Sequence, residues 1–376
     1  MSTNPAKRDR RRDGNTPSDV RGEMCPRHAA IRRALCTWYR SNARPLPWRG
    51  VGDPYAVWVS EVMLQQTQIA AVIPFYQRFM ETFPTVTQLA EAPLERVLQR
   101  WSGLGYYRRA RHLHQAAQLM VANFAGRLPR EYAALRSLSG VGDYTAKAIL
   151  SIAFDQPYVA LDGNAARVVA RLRALRGNLH QGAFRRRVET ELENLLARRS
   201  PGDFNQAIME LGQTICLPKG AHCPDCPISK WCETVGSAEV EATPLPRPRR
   251  PAELHHLAVA LLTDGSLIAM VRGLGDGLLE DLWNFPAAFG PTFDTALENL
   301  RGALATLLRV PFTLDESGAE FRHTITYRAI RGRVYRVQLT HSVRRAGLRW
   351  FPVAQLSGAA ISQLARKAAQ AAQIGQ

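Results

Sequence analysis

Four of the six cysteines lie within one short segment, with the spacing Cys216-x6-Cys223-x2-Cys226-x5-Cys232. Four thiolates this close in sequence can surround one tetrahedral zinc ion or one cubane iron–sulfur cluster. The pattern differs from the distributed cysteines of a disulfide framework and indicates a reducing compartment. Spacing alone leaves zinc and iron–sulfur open, and His222 is a further candidate zinc ligand.

Two carboxylates stand in segments that favour different protonation states. Glu61 is the one acid among the apolar and amide side chains of residues 60–68, SEVMLQQTQ. Asp162 directly precedes a predicted helix, where free amides and the helix dipole favour the ionised form. One acid that donates a proton and one that stays charged are what cleavage of a glycosidic bond requires. A solvated helix residue at 61 and an ordinary helix cap at 162 are the alternatives.

A glycine turn is a candidate anion site. Gly140-Val141-Gly142 lies between two predicted helices, and the backbone amides of such a turn can bind a DNA backbone phosphate without any base contact. The alternative is an ordinary interhelix turn.

An aromatic pair, Tyr106-Tyr107, precedes the basic run RRAR at 108–111. The pair could enter a base stack while the arginines hold phosphates. A core tyrosine beside a solvated basic helix is the alternative.

Helices must position most of these residues. Asp53-Pro54 predicts a helix start, and an apolar stripe follows it. A continuous helix would place Gln66 on that apolar face, so we predict a break there, with Thr67 capping a second helix. The predicted helices are 28–42, 54–65, 67–83, 93–101, 107–124, 131–137, 143–153, 165–175, 183–197 and 203–213.

Composition and pattern divide the 376 residues into four parts. We predict a disordered basic tail at 1–23, a mostly helical domain at 24–234, a proline-rich extended linker at 235–252, and a smaller α+β domain at 253–370. Strands are predicted at 257–262, 267–271 and 334–339, and a helix at 296–308.

A net charge of +17 predicts a polyanionic partner, nucleic acid before anionic membrane. There is no apolar run long enough for a membrane span, and the basic N-terminus does not look like a secretory signal.

The motifs together resemble MutY-type adenine DNA glycosylases of the helix-hairpin-helix, endonuclease III-like superfamily. The resemblance covers roughly 30–234 strongly and 253–352 more weakly. It rests on the following segments: Leu46-Pro47-Trp48-Arg49, Asp53-Pro54-Tyr55, 60–68, 103–107, Gly140-Val141-Gly142, Asp162-Gly163-Asn164, 205–212 and the four cysteines.

This resemblance implies base excision repair, in which adenine mispaired with 8-oxoguanine or guanine is flipped out of duplex DNA and its glycosidic bond is hydrolysed. It implies a 4Fe-4S cluster on Cys216, Cys223, Cys226 and Cys232. It assigns catalysis to Glu61, Asp162, Tyr144 and Asn164. It assigns contacts with the base or the DNA to Arg49, Gln66, Tyr106, Gly140, Gly142, Gln206, Phe321 and His323.

Two positions bear on the reaction and its specificity. Tyr144 stands where bifunctional relatives carry a lysine nucleophile, and Lys147 lies at the wrong place on the helix, so we predict a monofunctional enzyme. The C-terminal part resembles a Nudix-like domain that reads 8-oxoguanine, without the glutamate-rich box of a hydrolase between 270 and 310. There Arg322 replaces the usual small hydroxyl residue, and Ser139 replaces the usual hairpin proline.

The competing hypotheses are an endonuclease III-like glycosylase/lyase for oxidised pyrimidines, a non-catalytic DNA-binding scaffold, and a zinc-binding structural protein. Tyr144 disfavours the first, and the presence of both Glu61 and Asp162 disfavours the second. From the family we expect a monomer in the bacterial cytoplasm, associated with the nucleoid and not with a membrane.

Overall fold

The computed structural model describes residues 25–246, 248, 250–274, 278–280, 282–315, 318–339 and 347–374. The predicted basic tail at 1–23 lies outside these residues. No helix in the described ranges is both long enough and apolar enough to cross a membrane.

Helices are the regular elements of the described chain up to residue 246. They are α1 Pro26–Asn42, α2 Pro54–Leu64, α3 Ile69–Thr82, α4 Val86–Glu91, α5 Leu94–Trp101, α6 Arg108–Phe124, α7 Tyr132–Arg136, α8 Asp143–Ile152, α9 Gly163–Leu172, α10 Gly182–Leu195, α11 Pro201–Thr214 and α12 Glu239–Ala242. Two short 3-10 turns, Cys223–Asp225 and Ser229–Trp231, lie in the cysteine segment.

These helices form two lobes, each around its own apolar core. Helices α2 to α7 bury one core, while α1, α9, α10 and α11 bury the other. Helix α8 contributes to both cores, because Ala146 and Ile149 pack into the first and Ala148 packs into the second. Side chains from α2, α8 and α9 therefore meet where the lobes join.

The predicted helix break at Gln66 is confirmed, and the predicted cap by Thr67 is wrong. Helix α2 begins with Asp53 as its cap, whose side chain accepts from the amide of Tyr55 at 2.9 Å, and it ends at Leu64. Helix α3 starts only at Ile69, with Gln68 at the capping position. The hydroxyl of Thr67 instead accepts a hydrogen bond from Arg109 at 3.0 Å, and no side chain caps α3.

Helices α9 and α11 approach closely through a glycine. A Cβ atom at Gly212 would stand 2.7 Å from the Cβ of Asn164 and 2.9 Å from its carbonyl oxygen. Any larger residue would push α9 away, and with it Asp162, the residue that caps α9.

Two sheets and two helices form the part after the linker. The strands are β1 Glu253–Leu262, β2 Leu267–Arg272, β3 Trp283–Asn284, β4 Ala287–Gly290, β5 Phe312–Asp315, β6 Glu320–Ile325, β7 Arg328–Leu339 and β8 Arg349–Pro352. The helices are α13 Phe293–Leu308 and α14 Gln363–Ala371. One sheet has the order β4-β1-β7-β5 with β6 also on β7, and the other has the order β3-β2-β8. Strands β1 and β7 are parallel, and the other pairs are antiparallel.

The three predicted strands and the predicted helix of this region are confirmed in β1, β2, β7 and α13. The shorter strands and α14 were not predicted from the sequence. The linker predicted to be extended is wrong in part, because the short helix α12 lies within it, before its prolines.

The C-terminal sheets dock on the first helical lobe. Leu282 and Ala360 pack into the same apolar core as helices α2 to α7. The carboxylate of Glu95 on α5 accepts from Arg349 Nη1 at 2.9 and 3.1 Å and from Trp283 Nε1 at 3.2 Å. Burial would raise the pKa of Glu95, but these hydrogen bonds lower it.

We expect Gly212→Ala to lower the free energy of unfolding by about 1–3 kcal/mol, because the added methyl group overpacks the contact between α9 and α11. The matched control is Gly302→Ala on α13, where nothing lies within 4 Å of an added Cβ. That change should be neutral or stabilise by about 0.5–1 kcal/mol, since alanine favours the helix. Thermal unfolding of both variants measures these changes in stability. Equal shifts in the unfolding temperature would contradict the proposed crowding between α9 and α11.

Candidate active site between the helical lobes

An open pocket of about 980 Å³ lies where the two lobes join. Seven of the predicted site residues line it: Glu61, Gln66, Gly140, Gly142, Tyr144, Asp162 and Asn164. They come from α2 and the break after it, the glycine turn and α8, and the start of α9. The fold thus gathers residues that are about a hundred positions apart in the sequence.

Glu61 is the buried acid of this pocket and not a solvated helix residue. It is only 9% exposed. Burial raises its pKa to about 7, a hydrogen bond with the Tyr144 hydroxyl opposes the rise, and the nearby negative charge of Asp162 adds to it. A carboxyl group with this pKa is present in both protonation states near neutral pH and can therefore give up and take back a proton.

Tyr144 lies beside Glu61 on α8. Burial, followed by the negative charges of Glu61 and Asp162, raises its pKa well above the ordinary value, so the phenol stays neutral. Its hydroxyl donates to the Sδ atom of Met209 at 3.4 Å. The neutral phenol therefore lies close enough to interact with both carboxylates.

Asp162 both caps α9 and faces the pocket. Its Oδ1 accepts from the amide of Ala165 at 2.6 Å, and its Oδ2 accepts from the side chain of Asn164 at 2.7 Å. Burial raises the pKa of Asp162 above its ordinary value, and these two hydrogen bonds only partly oppose the rise. The capping and catalytic hypotheses for this residue are therefore compatible, because the cap supplies donors that stabilise the carboxylate.

A chain of hydrogen bonds connects Asp162 with the cysteine segment. Asn164 accepts at Oδ1 from Arg167 Nη2 at 2.9 Å. The same guanidinium group donates to the carbonyl oxygen of Gly212 at 2.7 Å and, through Nε, to that of Cys216 at 2.8 Å. The orientation of Asn164, and through it that of Asp162, thus depends on the position of the first cysteine.

The glycine turn lies at the pocket rim. Gly140 has a φ of 76°, and a Cβ there would stand 2.7 Å from the Cβ of His112. Gly142 is the residue before α8, at the positive end of that helix. This placement fits the predicted anion site, which remains a prediction.

Five of the predicted contact residues lie elsewhere. Arg49 pairs with Glu210 at 2.8 Å, and Gln206 donates to the carbonyl oxygen of Gly202 at 3.4 Å. Tyr106 is 49% exposed on the loop before α6. Phe321 and His323 lie half-buried on β6, in the C-terminal part. Their roles in binding remain predictions.

Ten lining residues were absent from the predicted set: Arg44, Leu64, Gln65, Thr67, Gln68, Ile69, Ala70, Thr145, Met209 and Gln213. Met209 and Gln213 are four residues apart on α11 and so share one helix face, a spacing that the sequence already displayed. Arg44 has no such signal. It reaches the pocket because the buried carboxylate of Glu210 holds it, with N–O distances of 2.6 and 2.8 Å.

The four clustered cysteines surround one small cavity of about 30 Å³, together with apolar residues and Arg171. His222 does not line that cavity. Among the described residues, no three His, Cys, Asp or Glu side chains converge closely enough to hold a single metal ion. Burial raises the pKa of Cys226 to about 12, and burial also raises that of Cys216. Thiols in such a place keep their protons unless a metal replaces them.

We expect Glu61→Gln to stabilise the protein increasingly as the pH rises. The pKa of Glu61 is about 7 in the folded protein, against the ordinary glutamate value of 4.5 that applies to the unfolded chain. Between these values the folded state binds the extra proton, so wild-type stability falls as pH rises, by about 3 kcal/mol in all. The stability difference between variant and wild type should be smallest below pH 4.5 and level off above pH 7.

Urea unfolding from pH 4 to 9 measures this difference. Glu193→Gln, at an exposed position on α10, is the control and should follow the wild type at every pH. A pH-independent difference for Glu61→Gln would contradict the raised pKa.

Comparison with known proteins identifies relatives of this chain. The family of HhH-GPD superfamily base excision DNA repair proteins matches residues 59–197. Adenine DNA glycosylase of Rattus norvegicus is 35% identical over 90% of this chain and 77% of its own length. The Homo sapiens protein of the same name is 33% identical over 90% of this chain and 73% of its own length. The solved structure of a thermostable thymine-DNA glycosylase covers 55% of this chain and 95% of its own at 25% identity, with a TM-score of 0.49. The chain belongs to the adenine DNA glycosylase family.

Proposed function

We propose that this adenine DNA glycosylase removes adenine paired with 8-oxoguanine or guanine in duplex DNA, by hydrolysis and without cutting the strand. One observation supports the proposal above all others: Glu61, Tyr144 and Asp162 face one pocket between the two lobes. The pocket is large enough for a base that has left the helix, and both carboxylates reach it.

Glu61 acts first as an acid. With a pKa of about 7, its carboxyl group holds a proton at neutral pH and can pass it to N7 of the adenine, which makes the base a better leaving group. Once the base has left, the resulting carboxylate takes a proton from the attacking water. Tyr144 and Asn164 line the same site and orient the two acids.

Asp162 stabilises the positive charge that develops on the sugar. The amide of Ala165 and the side chain of Asn164 donate to its two oxygens, so its negative charge is held in place. The oxocarbenium-like sugar then forms beside a carboxylate that needs no reorganisation.

A lysine nucleophile is missing from the proposed mechanism. The Lys147 ammonium group binds Glu189 at 2.5 Å and Asp143 at 3.2 Å. Burial lowers the pKa of Lys147, but these partners raise it above the ordinary value, so it remains a cation. A charged ammonium group held by two carboxylates cannot attack the sugar, which supports a monofunctional enzyme.

A 4Fe-4S cluster is the proposed cofactor, held by Cys216, Cys223, Cys226 and Cys232. A cubane of eight atoms needs ligands that are spread around its body, which suits four thiols around a cavity better than four thiols converging on one ion. When bound, the cluster supplies a fixed frame for the cysteine segment. The side chain of Arg171 donates to Cys216 Sγ at 3.4 Å and to the carbonyl oxygen of Leu217 at 2.7 Å, which fixes the same segment from the protein side.

The C-terminal part is the proposed reader of the opposite base. On β6, Phe321 packs against Gly332 of the neighbouring strand, and burial lowers the pKa of His323. Arg322, between them, is exposed and points to the opposite face of the sheet. We therefore assign the contact with a guanine edge or phosphate to Arg322.

The proposed setting is a monomer bound to duplex DNA at the bacterial nucleoid, in the cytoplasm. Thiolate ligands for a cluster require a reducing compartment, and the substrate is chromosomal DNA. The net charge of +17 favours association with a polyanion.

Single-turnover adenine release tests the function, on duplexes that carry adenine opposite 8-oxoguanine or opposite guanine. We expect strand breaks only after alkali, a faster reaction with 8-oxoguanine, and loss of release but not of duplex binding in Glu61→Gln. Arg322→Ala should bring the two rates closer together, while Thr324→Ala, also exposed on β6, should not. Strand breaks without alkali would contradict the monofunctional reaction. Equal wild-type rates of adenine release from the two duplexes would contradict recognition of 8-oxoguanine by the C-terminal part.

Metal analysis of anaerobically purified protein tests the cofactor. We expect iron and sulfide in equal amounts and a visible absorbance band, all lost in Cys226→Ala. Cys36→Ala is the matched control, because Cys36 lies on α1 and does not line the cavity. Zinc in place of iron and sulfide would contradict the cluster.

A further inference from the structure

Arg109 on α6 is a buried arginine, only 9% exposed, whose hydrogen bonds go to the end of α2 and to two neighbouring loops. Its Nη1 donates to the carbonyl oxygens of Val62 at 3.1 Å and Met63 at 2.7 Å, and also to that of Gln65. These carbonyls lie at the end of α2, where the helix leaves its last acceptors unpaired and its dipole is negative. The guanidinium group therefore closes α2 at the residues directly before the break.

The second nitrogen of the same group reaches both loops. Nη2 donates to the hydroxyl of Thr67 at 3.0 Å and to the carbonyl oxygen of Gly105 at 3.2 Å. Gln66 thus lies between Gln65 and Thr67, which both accept from Arg109, and Tyr106 directly follows Gly105, which also does. The guanidinium carbon also lies 5.2 Å from the centre of the Tyr106 ring, on which a cation can stack.

Gln66 and Tyr106 share a strained backbone. Their φ angles are 57° and 50°, in the left-handed region that residues with a side chain rarely adopt. Such a conformation persists only where the surroundings overdetermine it. Both side chains are exposed. Hydrogen-bond partners of Arg109 lie on both sides of Gln66, at Gln65 and Thr67, and directly before Tyr106, at Gly105.

We propose that Arg109 is the positioning residue that holds Gln66 and Tyr106 together as one preformed wedge for opening the DNA duplex. The inference rests on the proposed function and deepens it, since it names what fixes Gln66 and Tyr106, two of the residues assigned to contacts with the base or the DNA. Two side chains held in advance lose little freedom on entering the stack, so more of the binding energy remains for opening the base pair. Arginine suits this task because its planar fork serves several acceptors at once, which a lysine ammonium group on a flexible stem cannot do.

The test measures duplex opening and not chemistry. All proteins are full-length and carry Glu61→Gln, and the duplex carries 2-aminopurine next to an adenine opposite guanine. Fluorescence of 2-aminopurine rises when its neighbour leaves the stack. Arg109→Lys should lower the opening equilibrium about tenfold, within the range for residues in direct contact. Arg127→Lys, an exposed position just after α6, is the control and should leave opening unchanged.

A double-mutant cycle separates positioning from a general structural role. In a background with Gln66→Ala and Tyr106→Ala the wedge is absent, so Arg109→Lys should cause no further loss of opening. An equal loss in both backgrounds, or no loss in either, would overturn the inference. Should Arg109→Lys fail to fold, Thr67→Val removes one acceptor of Arg109 and must show the same dependence on the background, with a smaller loss. Intact opening in a wild-type protein that releases no adenine would count against the proposed function and not against this inference.

Discussion

Keeping the carboxyl group of Glu61 away from water is the constraint on which the arrangement of the helical part depends. An exposed glutamate would ionise at neutral pH, and removing its water costs free energy that the rest of the fold must offset. Two lobes with separate apolar cores supply that stability, and α8, which belongs to both, brings Tyr144 beside the acid. The residue that the proposed chemistry needs is therefore one whose ionised form the fold stabilises poorly.

The same structure buries several other charges, and in each case it supplies partners. Glu210 is completely buried, yet hydrogen bonds from Arg44 and Arg49 overcome the effect of burial and lower its pKa to about 2. Arg109 and Arg171 are buried positive charges, and backbone carbonyl oxygens stabilise their guanidinium groups by accepting hydrogen bonds. Glu61 differs from these residues because no cation among the described residues pairs with it, so burial raises its pKa to about 7.

Sequence patterns predicted those features that depend on neighbouring residues. Gln66 on an otherwise apolar face indicated the helix break, and Asp53 before a proline indicated the helix start. Features that depend on distant partners could not be read in this way. Arg49 binds Glu210, which is 161 positions away, and Thr67 serves Arg109 and not the helix that follows it. The short strands of the C-terminal part likewise owe their existence to their partners in the sheets and not to their own composition.

The contact between the C-terminal part and α5 fixes the distance between β6 and the loop that carries Tyr106. Arg366 on α14 donates to the hydroxyl of Ser102 at 3.1 Å, four residues before Tyr106, and the neighbouring Lys367 donates to the carbonyl oxygen of Arg322 on β6 at 3.0 Å. Helix α14 thus joins β6, the strand proposed to read one base, to the loop proposed to open the pair. In the proposed function, the fixed distance between β6 and the Tyr106 loop must match the width of the base pair. A pair of a different shape would not contact both at once.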